Sequence, residues 1–244
     1  MLHQFTNRCW FLPYESETDR PCLGYVRGNR YCLQIDAGNS AAHAQRMKDE
    51  LTRNALPKPD FVAITHSHWD HTYGLCATEG VSIASTATQR HLEAMSAWTW
   101  TEEAMQKRLE TREDILFCHE HILLEYPELD LIRVTTADLV FDERLTLDLG
   151  GLHAQLLRLA NSHADDCVVV FIPEEKVIYL GDICYEDLHH EPPCWHRTRF
   201  TALCEALRGL DFDWAVPGHQ GLMSREELMA DLAASMTVED LILD

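Results

Sequence analysis

The stretch Asp60-Phe61-Val62-Ala63-Ile64-Thr65-His66-Ser67-His68-Trp69-Asp70-His71 decides the reading of this chain. Its first half is a short apolar run of strand character, and its second half packs three imidazoles and a carboxylate into six residues. On a loop leaving a strand, alternate residues point the same way. His66 and His68 then face one ion, while Asp70 and His71 face a neighbouring one. Nitrogen and oxygen donors suit a borderline cation such as Zn²⁺.

Working outward, further ligands are expected at other strand ends, and three places qualify. Asn161-Ser162-His163 follows the strand His153–Leu159, and Leu180-Gly181-Asp182 follows the apolar run Val177–Leu180. Pro217-Gly218-His219 follows Trp214–Val216. Gly181 and Gly218 permit tight turns in which the next side chain faces a ligand rather than the core.

The rest of the chain alternates strands and helices. Cys22–Val26 and Tyr31–Ile35 form a hairpin through Gly28-Asn29, and Ala41–Ala55 is helical up to Pro57. Val81–Ser85 is a strand, and Gln89 to Glu128 has helical spacing. Strands are expected at Leu131–Thr135, Leu145–Leu149 and His153–Leu159, the last two hinged on Gly150-Gly151. Cys167–Ile172 and Val177–Leu180 read as strands buried on both faces. Arg199–Leu210 and Arg225–Ala234 are helical, and the acidic tail from Val238 is expected to fray. The pattern is a single α/β domain over 1–244, with a helical insert near 89–128.

Composition sets the remaining bounds. The 20 Lys+Arg against 40 Asp+Glu give a net charge of −20, which repels phosphate backbones and argues against a nucleic-acid partner. No apolar run approaches the ~20 residues that span a bilayer, so no membrane partner is expected. The N-terminus lacks a basic start followed by an apolar stretch, which points to a cytoplasmic chain. The nine cysteines form no C-x-x-C pair and read as reduced, mostly buried thiols.

With these residues in order along the chain, the sequence resembles the metallo-β-lactamase-fold hydrolase superfamily. The resemblance runs from Asp36 in Ile35-Asp36-Ala37-Gly38 to His219. It implies a four-layer αββα sandwich with metals in a cleft at one edge of two sheets. Carried over by motif, His66, His68 and His163 hold one metal. Asp70, His71 and His219 hold the second, and Asp182 bridges the two. Asp36 orients the ligand loop through hydrogen bonds. The implied cofactors are two Zn²⁺ per chain, with iron or manganese also open. The implied reaction is direct attack of a metal-activated hydroxide on a carbonyl, with Asp70 also orienting the nucleophile.

Local detail narrows the membership. Asp182 is usual among members resembling glyoxalase II-like thioesterases, lactonases, phosphodiesterases and sulfur dioxygenases. His163-Ala164-Asp165-Asp166 departs from the His-Thr-Pro-Gly form of thioesterases and lactonases, and is closer to the His-Thr-x-Asp-Asn form of some metallo-β-lactamases. Tyr185 matches the spacing of a tyrosine that donates to the oxyanion in similar lactonases. The expected substrate is a small-molecule ester, thioester, lactone or amide, with β-lactamase-like or lactonase activity as a specific form. An alternative on the same fold is a sulfur dioxygenase-like oxidoreductase, with one iron held by His66, His163 and Asp182. Asp165, Asp166 and the net charge favour a neutral or cationic substrate.

Several tempting features read more plainly. Met95, Trp98, Trp100 and Met105 serve core or oligomer contacts at helical spacing, which leaves a homodimer open; the alternative is that they cap the cleft. His119-Glu120-His121 reads as surface, because neighbouring helical positions point apart. The Pro-rich stretch His189–His196 reads as a solvated loop, with lining of the cleft mouth as the alternative. Arg197 and Arg199 are cations expected near the metal loop, but no dedicated basic domain accompanies them.

Overall fold

The computed structural model describes residues 1–235 and the backbone of Leu241–Ile242. Two mixed sheets lie face to face with helices outside them, the αββα sandwich expected. The first sheet runs in chain order through β1 (His3–Gln4), β2 (Cys9–Leu12), β3 (Leu23–Arg27), β4 (Cys32–Ile35), β5 (Phe61–Ala63), β6 (Val81–Ser85) and β7 (Leu139–Phe141). The hairpin at Gly28-Asn29 sets the register of β3 on β4, pairing Arg27 with Cys32.

The second sheet contains β8 (Arg144–Asp148), β9 (His153–Arg158), β10 (Val168–Ile172) and β11 (Val177–Gly181). After a short β12 (Trp195–His196), which lies outside it, the sheet is completed by β13 (Trp214–Pro217) and β14 (Met223–Ser224), in the order β14-β13-β11-β10-β9-β8. Every residue of β10 and β11 is buried, because one face meets the first sheet and the other is covered by helices. A final β15 (Leu241–Ile242) pairs with β12, and the remainder of the acidic tail lies outside the described residues.

Helix α1 (Ala41–Arg53) packs Met47 and Leu51 against the outer face of the first sheet. Ser40 caps it by accepting a hydrogen bond from the His43 N–H. The one-turn helix α2 (Trp69–Thr72) follows β5. The insert resolves into α3 (Thr86–Ser96), α4 (Glu102–Thr111) and α5 (Leu116–Glu125). Ser85 and Thr101 cap the first two of these. On the far side, α6 (Arg197–Gly209) and α7 (Arg225–Ser235) bury Phe200, Leu203, Leu207, Leu228 and Leu232 against the second sheet.

One sequence expectation is corrected here, and one element is added. Leu131–Thr135 is not a strand. A 3₁₀ turn covers Leu129–Leu131, Ile132 is buried with Ile122 and Tyr126 in the insert's own small core, and pairing resumes only at Leu139. The apolar run therefore serves the insert rather than the sheet. The N-terminal strands were not anticipated either, yet all of Cys9–Leu12 is buried. Among the described residues the nine cysteines form no disulfide, and six of them are buried. Among the described residues, no helix is long and apolar enough to cross a membrane.

Candidate metal centre

The centre lies where the two sheets open at one edge, beyond the ends of β4, β5, β11 and β13. Strand β4 ends at Ile35, and Asp36 then adopts a left-handed backbone with φ 61°. That turn aims its carboxylate at the loop after β5. Its Oδ1 accepts from the Thr65 N–H at 2.8 Å, and its Oδ2 accepts from the Thr65 hydroxyl at 2.9 Å and His71 Nδ1 at 2.7 Å. Asp166 fixes the same loop from the second sheet, Oδ2 accepting from the Ser67 N–H at 2.8 Å. Two carboxylates thus hold the loop from opposite sides, as the sequence motif anticipated for Asp36. The sequence marks Asp166 as part of the His163-Ala164-Asp165-Asp166 stretch and as a charge bearing on the substrate, not as a partner of Ser67.

The ligand-type residues fall into two groups. His66, His68 and His163 offer atoms within 4.8 Å of one another, as do Asp70, His71, Asp182 and His219, so each group could hold a metal ion. Asp182 reaches both: Oδ1 is 3.3 Å from His71 Nε2, while Oδ2 is 3.7 Å from His163 Nε2 and 3.3 Å from His219 Nε2. Asp70 Oδ2 is 3.0 Å from both His71 Nε2 and His219 Nε2. All seven expected ligands therefore converge.

Orientation favours a cation over a purely internal network. His163 Nδ1 donates to the Glu186 carbonyl at 3.0 Å, which makes Nε2 the acceptor nitrogen, turned inward and 3.0 Å from His68 Nδ1. The bond from His71 Nδ1 to Asp36 does the same for His71 Nε2. His66 Nε2, His71 Nε2 and Asp182 Oδ1 are buried with no hydrogen-bond partner. Buried polar atoms of this kind are costly unless something coordinates them. Gly218 makes the approach possible, since a Cβ there would lie 1.9 Å from Asp182 Oδ1.

The electrostatics agree. Burial, followed by the neighbouring imidazoles, holds His66 and His68 well below the ordinary histidine range, in the neutral form that binds metals. Burial opposes charge on His71 and His219 too. There, however, Asp70 and Asp182 outweigh it and raise both, so without an ion these carboxylates draw protons onto the imidazoles. A divalent cation held there would take the place of that positive charge. Sequence reasoning missed Asp19, whose Oδ1 is 3.4 Å from His219 Nδ1. Burial and then Asp70 push its carboxyl up to about 7. No local pattern marks it, because the contact spans the whole chain.

Two cavities flank the centre and share His68, Cys118, His163 and His189. One, of about 410 Å³, runs under the insert and is walled by Trp69, Tyr73, Met95, Trp98 and Ile122, with Arg199 among its other lining residues. The other, of about 370 Å³, is bounded by Tyr14, Ile115, Phe117, Tyr185 and Leu188. Trp100 and Met105 belong to the insert's core as expected, whereas Met95 and Trp98 also line the cleft. His121 lines the second cavity and so is not plain surface; its Nδ1 bonds the Phe117 carbonyl. His189 reaches within 5.7 Å of the His68 ring, which makes the Pro-rich loop part of the cleft mouth. Tyr185 also borders the centre, its phenol oxygen accepting from the His219 N–H at 3.1 Å.

Comparison with known proteins agrees with the fold. Residues 23–219 match the family model of the metallo-beta-lactamase superfamily, and the chain belongs to that family. Among solved structures it is similar to a metallo-beta-lactamase from Pontibacter korlensis, with TM-score 0.68 and 15% identity, covering 98% of this chain and 99% of that one. It is also similar to the inverting sec-alkylsulfatase Pisa1 from Pseudomonas sp., with TM-score 0.68 and 15% identity over 96% of this chain and 40% of that one. At that identity both likenesses concern the fold alone. A curated relative is 29% identical over 208 residues: the 2,4-dinitroanisole O-demethylase subunit alpha of Nocardioides sp. (strain JS1661). The match covers 84% of this chain and 54% of the relative, so the chain spans about half its length.

Proposed function

We propose that this protein is a metal-dependent hydrolase acting on a small-molecule ester, thioester, lactone or amide. His66, His68 and His163 would hold one ion, Asp70, His71 and His219 the other, and Asp182 both. The observation that carries the reading is the reach of Asp182 into both groups, Oδ1 toward His71 and Oδ2 toward both His219 and His163. Two divalent ions, Zn²⁺ by the donor set, would supply an activated water and polarise the carbonyl.

The chain's own residues do the rest. Asp70 is held far below the ordinary carboxylate range: burial opposes this, but His71 and His219 outweigh it. It therefore stays ionised and accepts a hydrogen bond from the attacking water, orienting it. Tyr185 is suited to the oxyanion. Its oxygen is already satisfied by the His219 N–H, which leaves its own O–H to donate, and burial raises the phenol so that it keeps that proton. The aromatic and aliphatic cavity walls exclude water from the groups flanking the scissile bond.

A second reading, oxidation at one iron held by His66, His163 and Asp182, is favoured by the relative's name. Removal of a methyl group from an oxygen can proceed by oxidation or by hydrolysis. Elemental mass spectrometry on protein purified without added metal separates the readings. About two zincs per chain, oxygen-independent turnover, and loss of both metal and activity in Asp182→Ala support the hydrolase. A single iron with turnover that stops without O₂ overturns it.

A further inference from the structure

Among the described residues, a third group of ligand-type side chains lies outside the centre described above. A ring nitrogen of His91, a carboxylate oxygen of Asp165 and one of Asp166 lie within 4.8 Å of one another. His91 sits on α3, the first helix of the insert. The two aspartates belong to the loop between His163 and β10. The group therefore joins the insert to the loop that carries His163.

Asp166 is the informative member. Its side chain is fully buried, Oδ2 is spent on the Ser67 N–H, and Oδ1 has no hydrogen-bond partner. A buried carboxylate oxygen without a donor calls for a cation. His91 and Asp165 are half-exposed or more and already touch, Nε2 to Oδ1 at 2.9 Å. They present an open side through which an ion can enter, while Asp166 provides the buried anchor.

We propose that His91, Asp165 and Asp166 form a further divalent-cation site, distinct from the two groups around Asp182. One imidazole with two carboxylates suits Zn²⁺ or Mn²⁺. As the ion enters, the ring proton that His91 Nε2 shares with Asp165 moves to Nδ1, and the Nε2 lone pair turns to the ion. The bound ion pins α3 to the His163 loop and, through Asp166, to Ser67 between His66 and His68. It thereby stiffens the ligand loop from the wall of the first cavity, which His91, Asp165 and Asp166 help to line.

The test is equilibrium dialysis of the whole chain against graded free Zn²⁺, with zinc per chain counted by elemental mass spectrometry. The wild type is compared with the double variant His91→Ala/Asp165→Asn and with Asp182→Ala. Both altered residues of the double variant are solvent-facing, so the fold tolerates the change, and circular dichroism checks this. The double variant should saturate one zinc below the wild type, and Asp182→Ala should keep the zinc that the double variant loses. Equal saturation of wild type and double variant overturns the site. Failure of the two-metal reading instead shows as no difference between wild type and Asp182→Ala, so the two outcomes are separable.

Discussion

At the scale of single residues, the centre depends on close approaches that one methyl group would break. Gly218 is the sharpest case, because the Cβ of an alanine would sit 1.9 Å from Asp182 Oδ1 and drive the carboxylate out of its position. Gly218→Ala is expected to lower metal affinity by about 10–100-fold, the range seen when groups that orient metal ligands are lost. Gly221→Ala, where nothing lies within 4 Å, should leave it unchanged, and competitive titration with a chelating dye reads both. His43 gives a pH prediction. Burial, then Arg20 and Arg46, depress it from 6.5 to about 3, so the unfolded chain binds a proton that the fold excludes. Stability is then unaffected by this group above pH 6.5 and falls as pH drops from 6.5 toward 3. His43→Gln should flatten that part of the Tm–pH curve; equal slopes for the two proteins would remove the argument.

At the scale of elements, legibility followed the range of the interactions. The ligand loop could be read because its residues are neighbours in sequence and follow an apolar strand, and His163, Asp182 and His219 because each comes within a few residues after a strand. Asp19 and the stapling role of Asp166 could not, since each acts through a partner tens of residues away. The segment 131–135 misled for the same reason: an apolar run fits either a sheet edge or a satellite core, and only the presence of Ile122 and Tyr126 decides. The insert shows how such a core is held. Arg108 is buried, with its guanidinium 4.4 Å from the Trp98 ring and 4.7 Å from that of Trp100, and Nη1 donates to the Thr99 carbonyl at 3.1 Å. Arg108→Ala removes both stacking contacts and should destabilise the chain by about 1–2 kcal/mol. Because Trp98 also lines the cleft, KM should rise while metal content stays at the wild-type level. A fall in metal content would show that the insert supports the centre itself and not only its wall.

At the scale of the whole molecule, the net charge of −20 and the site pull on a ligand in different ways. The ions proposed for the centre attract anionic groups at short range, whereas the surface repels anions and draws cations over a longer one. The first cavity sharpens the contrast, because Glu113, Asp114, Asp165 and Asp187 lie among its lining residues beside the aromatic wall, with Arg199 as the cation among them. A neutral or cationic substrate with an apolar body fits both the wall and the field. Salt separates the contributions, since the screening length shrinks from about 30 Å at 0.01 M to about 10 Å at 0.1 M ionic strength. For a matched pair of substrates differing only in charge, KM of the cationic member should rise over that interval and KM of the anionic member should fall. Their kcat values should stay level, because contacts inside the cleft are screened far less. Parallel salt profiles for the two substrates would mean that the acidic surface takes no part in recognition, leaving the cavity walls and the metal ligands to set specificity.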